Sequence, residues 1–345
     1  MRRSWIPRAG KSPGWKGLRS LALALAVISA ASGCGPGSED SRSGPEGRDR
    51  AGTHPAREAA EAEPSGHATV LDDLGRTVQV EPEARRVVSL LPSATELVLA
   101  LGVENRLLAR TRHDRDPRIQ DLPDLGGGMN PNLESVGRLA PDLVIAWADA
   151  GDGRLVARLK DLGIRTYAAE SESVEDVLRH TERLGHLLGV EARADSLKEA
   201  LERGLQEVAA TTADASPPSV FYVVWHDPPV TTGRGTYLDS LITVAGGRNV
   251  FGDVGSGWPQ VSLEEAVRRN PDAVVAAGTH DGTEPEPDWL RDRSGWREME
   301  AVRAGRVLVV DPDLFNRPGP RMVEAARALA AFLHPERLPQ ERSPR

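Results

Sequence analysis

Three tryptophans and two histidines stand out as residues able to do chemistry. The chain has 345 residues, and beyond its first 33 it carries five tryptophans against only three tyrosines. Of these, Trp147 closes an apolar run, while Trp225 and Trp258 neighbour His, Pro or Gly where loops are expected. A tryptophan offers a broad apolar face and one hydrogen-bond donor, which suits a flat ligand edged with amides. Trp147, as a strand end, fits a core position equally well. His113 and His226 each follow an apolar run and precede an aspartate, Asp114 and Asp227. A neutral imidazole can ligate cobalt or iron, and a neighbouring carboxylate can orient its ring; a lone loop histidine is more often a polar surface group. His180 and His186, six apart in a helical pattern, fall on different faces and are expected at the surface. No Gly-x-Ser-x-Gly elbow, His-Glu-x-x-His pair, phosphate-binding loop or cysteine pair occurs. Gly233-Arg234-Gly235-Thr236 reads as a turn before a helix. Catalysis is left to a remote alternative, an anchored hydrolase using paired carboxylates such as Asp227 and Asp313.

A scaffold must position these residues, and the ends of the chain bound it. The 43 basic and 51 acidic side chains give a formal charge of −8. Six of the bases, Arg2, Arg3, Arg8, Lys11, Lys16 and Arg19, precede an apolar run at 21–31, so the remainder is more acidic still. With no basic block, nucleic acid is excluded as a partner. Residues 1–33 have the grammar of an export signal, with an apolar run too short to span a bilayer. Ala31-Ser32-Gly33 leads to Cys34, the single cysteine, which excludes an internal disulfide and marks a lipid attachment point; ordinary cleavage after Ala-x-Ala is the alternative. Such a chain is anchored to the membrane and does not span it. Residues 34–66 are poor in large apolar side chains and read as a disordered tether, and 336–345 as a polar tail.

Between these ends the pattern is α/β. Residues 68–80 alternate around Asp73-Leu74-Gly75, a hairpin signature. Short β-branched runs at 87–91, 143–146 and 307–310 alternate with helical periodicity, as parallel sheets require. Ser93-Ala94-Thr95-Glu96 after Pro92 reads as a capping box, and Gly102 as the end of its helix. Over 191–212, Ala194, Leu197, Leu201, Leu205 and Val208 keep helical spacing. At 1.5 Å per residue this is a rod of about 30 Å, joining a lobe at 67–190 to one at 213–335. Residues 132–146 return as 262–276: Asn132-Leu133-Glu134 matches Ser262-Leu263-Glu264, and Pro141-Asp142 matches Pro271-Asp272. Each copy reads as N-cap, short helix, Pro-Asp turn and buried strand. The lobes therefore share one plan, chance similarity of capping grammar being the bland alternative. Glu134 and Glu264 lie in matching first helical turns, where the dipole favours a carboxylate. Glu265 is expected to complete the Ser262 capping box and leave Glu264 facing outward.

Four stretches in matching order over about 69–334 resemble a known family. They are Arg86-Val87-Val88-Ser89-Leu90-Leu91-Pro92-Ser93-Ala94-Thr95-Glu96, Asn132-Leu133-Glu134 with Ala140-Pro141-Asp142-Leu143-Val144, Gly246-Gly247-Arg248-Asn249-Val250-Phe251, and Trp258-Pro259-Gln260-Val261-Ser262-Leu263-Glu264. They look like the periplasmic binding proteins of cobalamin, haem and ferric-siderophore ABC importers, nearest to cobalamin-binding members through Ile145-Ala146-Trp147 and the Trp258 motif. The resemblance implies two Rossmann-like lobes joined by one long rigid helix, a ligand cleft between them and little hinge motion. It implies a binding protein with no catalytic role and no resident cofactor or metal. Ligands of open α/β sheets sit beyond the carboxyl ends of the strands. The expected ligand-binding residues are thus Ser93, Arg112, His113 and Trp147 from the first lobe, and Trp225, His226, Trp258, Phe315 and Arg317 from the second. Gly126 to Met129 and Thr279-His280 lie in the same loop sets. The implied cargo is a corrinoid, with haem or a ferric siderophore as the alternative, haem gaining if both histidines ligate one metal. Glu134 and Glu264 would dock a monomeric receptor onto arginines of a two-fold permease. Two departures bear on the cargo: the position near Arg112 is usually aromatic, and Gly126 to Gly128 replace a tryptophan found in some members.

Overall fold

The alternation over 68–80 folds into β1 (Ala68–Leu71) and β2 (Thr77–Val80), an antiparallel hairpin. The computed structural model describes residues 68–148, 153–278 and 287–338; the stretches expected to be an export signal and a tether, Cys34, Thr279-His280 and residues 339–345 lie outside them. The hairpin is followed by β3 (Val87–Ser89), α1 (Pro92–Ala100), β4 (Leu107–Ala109), a small ribbon of β5 (Gly126–Gly127) and β6 (Asn130–Pro131), and α2 (Leu133–Arg138). The first lobe ends with β7 (Leu143–Trp147), α3 (Arg154–Asp161), β8 (Thr166–Ala169) and α4 (Val174–Leu187). Its sheet runs β4-β3-β7-β8, all parallel. Apolar clusters cover both faces of that sheet, as a parallel sheet needs.

The rod is α5 (Glu191–Thr212), 22 residues long. Beyond it come β9 (Ser219–His226), β10 (Pro229–Thr231), α6 (Tyr237–Val244), β11 (Arg248–Asn249), α7 (Leu263–Arg269), β12 (Ala273–Ala277), α8 (Glu300–Arg303), β13 (Val307–Val310), α9 (Pro312–Phe315) and α10 (Met322–Leu333). Here β9, β12 and β13 are parallel, β10 pairs antiparallel with the end of β9 and β11 pairs with its beginning. Thr236 caps α6 by accepting from the Asp239 N–H, so the Gly233-to-Thr236 stretch is the turn its sequence indicates.

The repeat survives down to single hydrogen bonds. Asn132 Oδ1 accepts from the Ser135 N–H at 3.0 Å and Ser262 Oγ from the Glu265 N–H at 3.1 Å. The turn after each helix then passes through a left-handed residue, Ala140 at φ 43° and Asn270 at φ 42°. Asparagine tolerates that region, whereas alanine is uncommon there. Asp142 accepts from the Arg85 and Arg86 N–H groups, and Asp272 from the Ser219 N–H and hydroxyl. In both lobes the Pro-Asp carboxylate thus stitches the beginning of the neighbouring strand. The Ser219 hydroxyl and N–H hold Asp272 below the usual carboxylate range.

Three local expectations are corrected. The N-cap of α1 is Leu91 and no side chain caps it; Pro92 occupies the first turn, and the Glu96 carboxylate is drawn to arginines of the other lobe. Glu265 does not complete a capping box either, because Arg268 and Arg269 take its carboxylate. His180 is buried, not a surface residue. It lies on the α4 stripe with Val177 and Leu184, where Tyr167 Oη meets Nδ1 at 2.7 Å and the Glu170 carbonyl meets Nε2 at 2.9 Å. His186 is exposed, as expected.

Burial holds the His180 imidazole below its ordinary value, against opposing effects from the Glu170 carbonyl and Asp73. An unfolded histidine protonates near pH 6.5, so below that pH the unfolded chain takes up a proton that the folded chain resists. Stability is then full above about pH 6.5 and falls as pH drops toward the depressed folded value. Thermal melts from pH 7.5 to 5 are expected to show this slope, and His180→Gln should flatten it.

Helix α4 reaches out of its own lobe. Its Gly185 meets Ala194 of α5 so closely that an added Cβ would lie 2.3 Å from the alanine methyl. Its Val174 and Val177 join the core of the second lobe, and Leu197 of α5 packs against clusters of both lobes.

Candidate functional site

The loops after the parallel strands of the two lobes meet at one junction. From the first lobe come Ser93 after β3 and His113 after β4; from the second comes the stretch 311–321 after β13. Arg317 Nη2 donates to the His113 carbonyl at 2.8 Å, and Arg317 and Arg321 donate to Glu96 at 3.1–3.3 Å. Asp313 holds Arg317 at 2.7 Å and Arg115 at 3.3 Å. With two guanidiniums on it, Asp313 is no general base, and Asp227 lies exposed at the far turn of β9. The paired-carboxylate hydrolase has no geometric support.

Three expected ligand residues have other duties. Phe315 is 3% exposed and packs in the core of the second lobe with Tyr237 and Met322, so its ring is not offered to a cleft. Ser93 is buried in the first turn of α1. Arg317 is engaged by Glu96, Asp313 and the His113 backbone. Arg112 and His113 are exposed. The Arg112 N–H donates to the Gly126 carbonyl, tying this loop to the β5–β6 ribbon. Asp114 does not orient the His113 ring: its carboxylate closes a turn onto the Thr111 N–H and hydroxyl at 2.6 and 2.8 Å.

Two of the three glycines here have a structural reason: Gly126 takes a left-handed φ of 88°, and Gly128, in the turn of the ribbon, is dictated by packing. A Cβ on Gly128 would lie 1.8 Å from the Leu90 carbonyl oxygen at the end of β3. The loop approaches the strand too closely for any side chain, so no aromatic residue fits here without moving the backbone. Gly128→Ala is expected to cost about 1–3 kcal/mol through overpacking, read as a lower urea midpoint with an unchanged slope.

The second lobe presents the aromatic surface. Trp225 and Trp258 are 57% and 54% exposed. Trp225 faces Val230 across the β9–β10 ribbon, and Val230 in turn bridges Gln260, two residues from Trp258. Neighbouring strands lie about 4.8 Å apart, so both indoles belong to one patch. The Trp225 indole N–H donates to the Asp227 carbonyl at 2.8 Å and its ring stacks on His226 at 5.4 Å. His226 meets Trp289 edge-on at 4.9 Å, and Arg293 lies over Trp289. Sequence reasoning missed Trp289 and Arg293, which lie far from His226 along the chain. Burial and Arg293, opposed by Asp227, hold the His226 imidazole below its ordinary value. It is therefore neutral at pH 7, and ring stacking orients it where a carboxylate was expected to. Trp147 is half-buried at the end of β7, packed against the first lobe's core. No group of three or more His, Cys, Asp or Glu that could hold a metal occurs among the described residues.

Glu134 and Glu264 both stand exposed in the first turns of α2 and α7. Glu134 pairs with Arg138 at 2.9 Å, while Glu264 has no side-chain partner among the described residues. Beside Glu264 a cavity of about 580 Å³ is lined by His226, Gln260 and Arg293.

Comparison with known proteins agrees with this architecture. Residues 87–314 match the periplasmic binding protein family. An ABC transporter substrate-binding lipoprotein of Bacillus subtilis (strain 168), YvrC, is 34% identical over 275 residues, 78% of this chain and 86% of its own length. The crystal structure of the periplasmic vitamin B12 binding protein BtuF of Vibrio cholerae superposes with a TM-score of 0.62 at 26% identity, covering 72% of this chain and 96% of that one. A periplasmic haem binding protein from Pseudomonas aeruginosa gives 0.65 at 27% identity, covering 75% and 95%. Two sibling α/β lobes, a linking helix and loop sets that meet between the lobes thus have a common explanation in these matches: the chain belongs to the periplasmic binding protein family, and its role is to bind a solute and not to transform one.

Proposed function

We propose that the protein is a lipid-anchored receptor on the outer side of the membrane that captures a corrinoid and hands it to the permease of an ABC importer. The observation that carries the cargo is the exposed indole pair, Trp225 and Trp258, on one patch at the end of the second lobe's sheet. Two exposed indole faces on an otherwise Gly- and Pro-rich rim suit a broad, flat ring, with the Trp225 N–H already held by the Asp227 carbonyl. The likeness to vitamin B12 binding proteins supports the same choice. Anchoring through Cys34 draws support from the small residues before it and from the lipoprotein relative. Docking through Glu134 and Glu264 draws support from their exposure at matching places in the repeat, where a two-fold partner would meet them with equivalent cations. The receptor acts as a monomer.

Haem is the second reading, favoured by the neutral imidazole of His226 and by one exposed histidine, His113, in the other lobe. Titration of the purified protein with cyanocobalamin, haem and a ferric hydroxamate, followed by absorbance, separates the two. Tight binding of cyanocobalamin alone is expected. Silence toward it, with tight haem binding lost in His226→Ala, replaces the corrinoid reading by the haem one.

A further inference from the structure

We propose that Glu96, Arg317 and Arg321 form an interlobe latch that fixes the spacing of the two lobes before any cargo arrives, and that Arg317 is a positioning residue for the His113 loop.

Glu96 belongs to α1 of the first lobe; both arginines belong to the turn between α9 and α10 of the second. The side chains of Glu96 and Arg317 retain only 17% and 14% exposure, so water screens the pair weakly. Arg321 approaches Glu96 through two nitrogens, at 3.1 and 3.3 Å, and also donates to the Asp313 carbonyl at 2.8 Å. Asp313 in turn receives Arg115 of the first lobe. Charges thus alternate across the junction, with carboxylates and guanidiniums from both sides. Three crossings, Glu96 to Arg317, Glu96 to Arg321 and Asp313 to Arg115, tie lobe to lobe. A fourth, Arg317 to the His113 carbonyl, ties the second lobe to the exposed loop of Arg112 and His113.

The rest of the interface shows why the latch matters. Apolar contact between the lobes is concentrated at α4 and α5, where Leu197 touches both cores. Between Leu197 and the latch lies a cavity of about 810 Å³, lined also by Leu99, Ile119 and Pro320. That is room for many waters at roughly 30 Å³ each. The latch is therefore not carried along by a continuously packed interface; it is a separate attachment on the other side of this cavity. A linking helix sets one end of the lobe separation, and the latch sets the other.

The inference goes beyond the cargo assignment and is tested without ligand. Spin labels at Leu162→Cys and Ala304→Cys, in the full chain carrying Cys34→Ser, report the distance between lobes by pulsed electron resonance. Both positions are exposed turns preceding a strand, at the sheet ends remote from the junction. The parent should give one narrow distance; Glu96→Gln and, separately, Arg321→Met should each add a second, longer population. Near-UV circular dichroism identifies which variants are folded, and Arg321, being 41% exposed, tolerates replacement even if Glu96 does not. A single unchanged distance in a folded variant of either kind overturns the latch, whatever cargo the protein proves to bind.

Discussion

Uptake by cells whose receptor carries Glu134→Ala and Glu264→Ala together is expected to fall to background, while the purified variant binds cargo as the parent does. Both carboxylates stand in first helical turns of the repeated unit. The Glu134 side chain is 79% exposed and its Arg138 partner 65%. An exposed pair of this kind contributes no more than about 1 kcal/mol, so its loss leaves the fold intact. A rim charge acts on encounter and register, and each single variant should retain part of the transport. Labelled-cargo uptake in cells, set beside titration of purified protein, measures the two quantities separately. Parallel loss of transport and affinity would refute docking as the role of these residues.

Trp225→Ala and Trp258→Ala are each expected to weaken corrinoid binding by about 30-fold, the equivalent of roughly 2 kcal/mol for a central aromatic contact. Both indoles are more than half exposed, so melting temperature should barely move. Trp147→Ala is the contrasting case. Its ring packs against the first lobe's core, and its removal should lower stability as well as affinity. Titration calorimetry with thermal melts on the same three variants distinguishes a contact residue from a packing residue. Undiminished affinity in both exposed variants would remove the observation on which the corrinoid assignment stands.

What could be read from sequence was whatever local chemistry determines. The hairpin at 68–80, the 191–212 rod and the repeated helix, Pro-Asp turn and strand all rest on periodicity and capping, and all appear in the structure. The errors share one cause, competition from distant partners. Glu96 sits three residues after Ser93 and looks like half of a capping box until two arginines more than 200 residues away claim it. His180 reads as polar surface until Tyr167 and Glu170 supply partners for both ring nitrogens. Phe315 follows a strand and so reads as a rim residue, yet it turns inward on α9 to fill the second core. Spacing along the chain carries no information on such pairings. Trp289 and Arg293 were missed for the same reason, since only the tertiary fold brings them against His226.

Val174 and Val177 make the division of the chain into halves less simple than the linking helix implies. They lie before the rod in sequence yet are buried among residues that follow it. A fragment ending at residue 190 would leave these two valines without their neighbours, and one starting at 191 would have a hole where they belong. The halves are accordingly inseparable as folding units, so heating should melt them in a single calorimetric transition, and grafting one half onto a foreign counterpart would require α4 to travel with the opposite side.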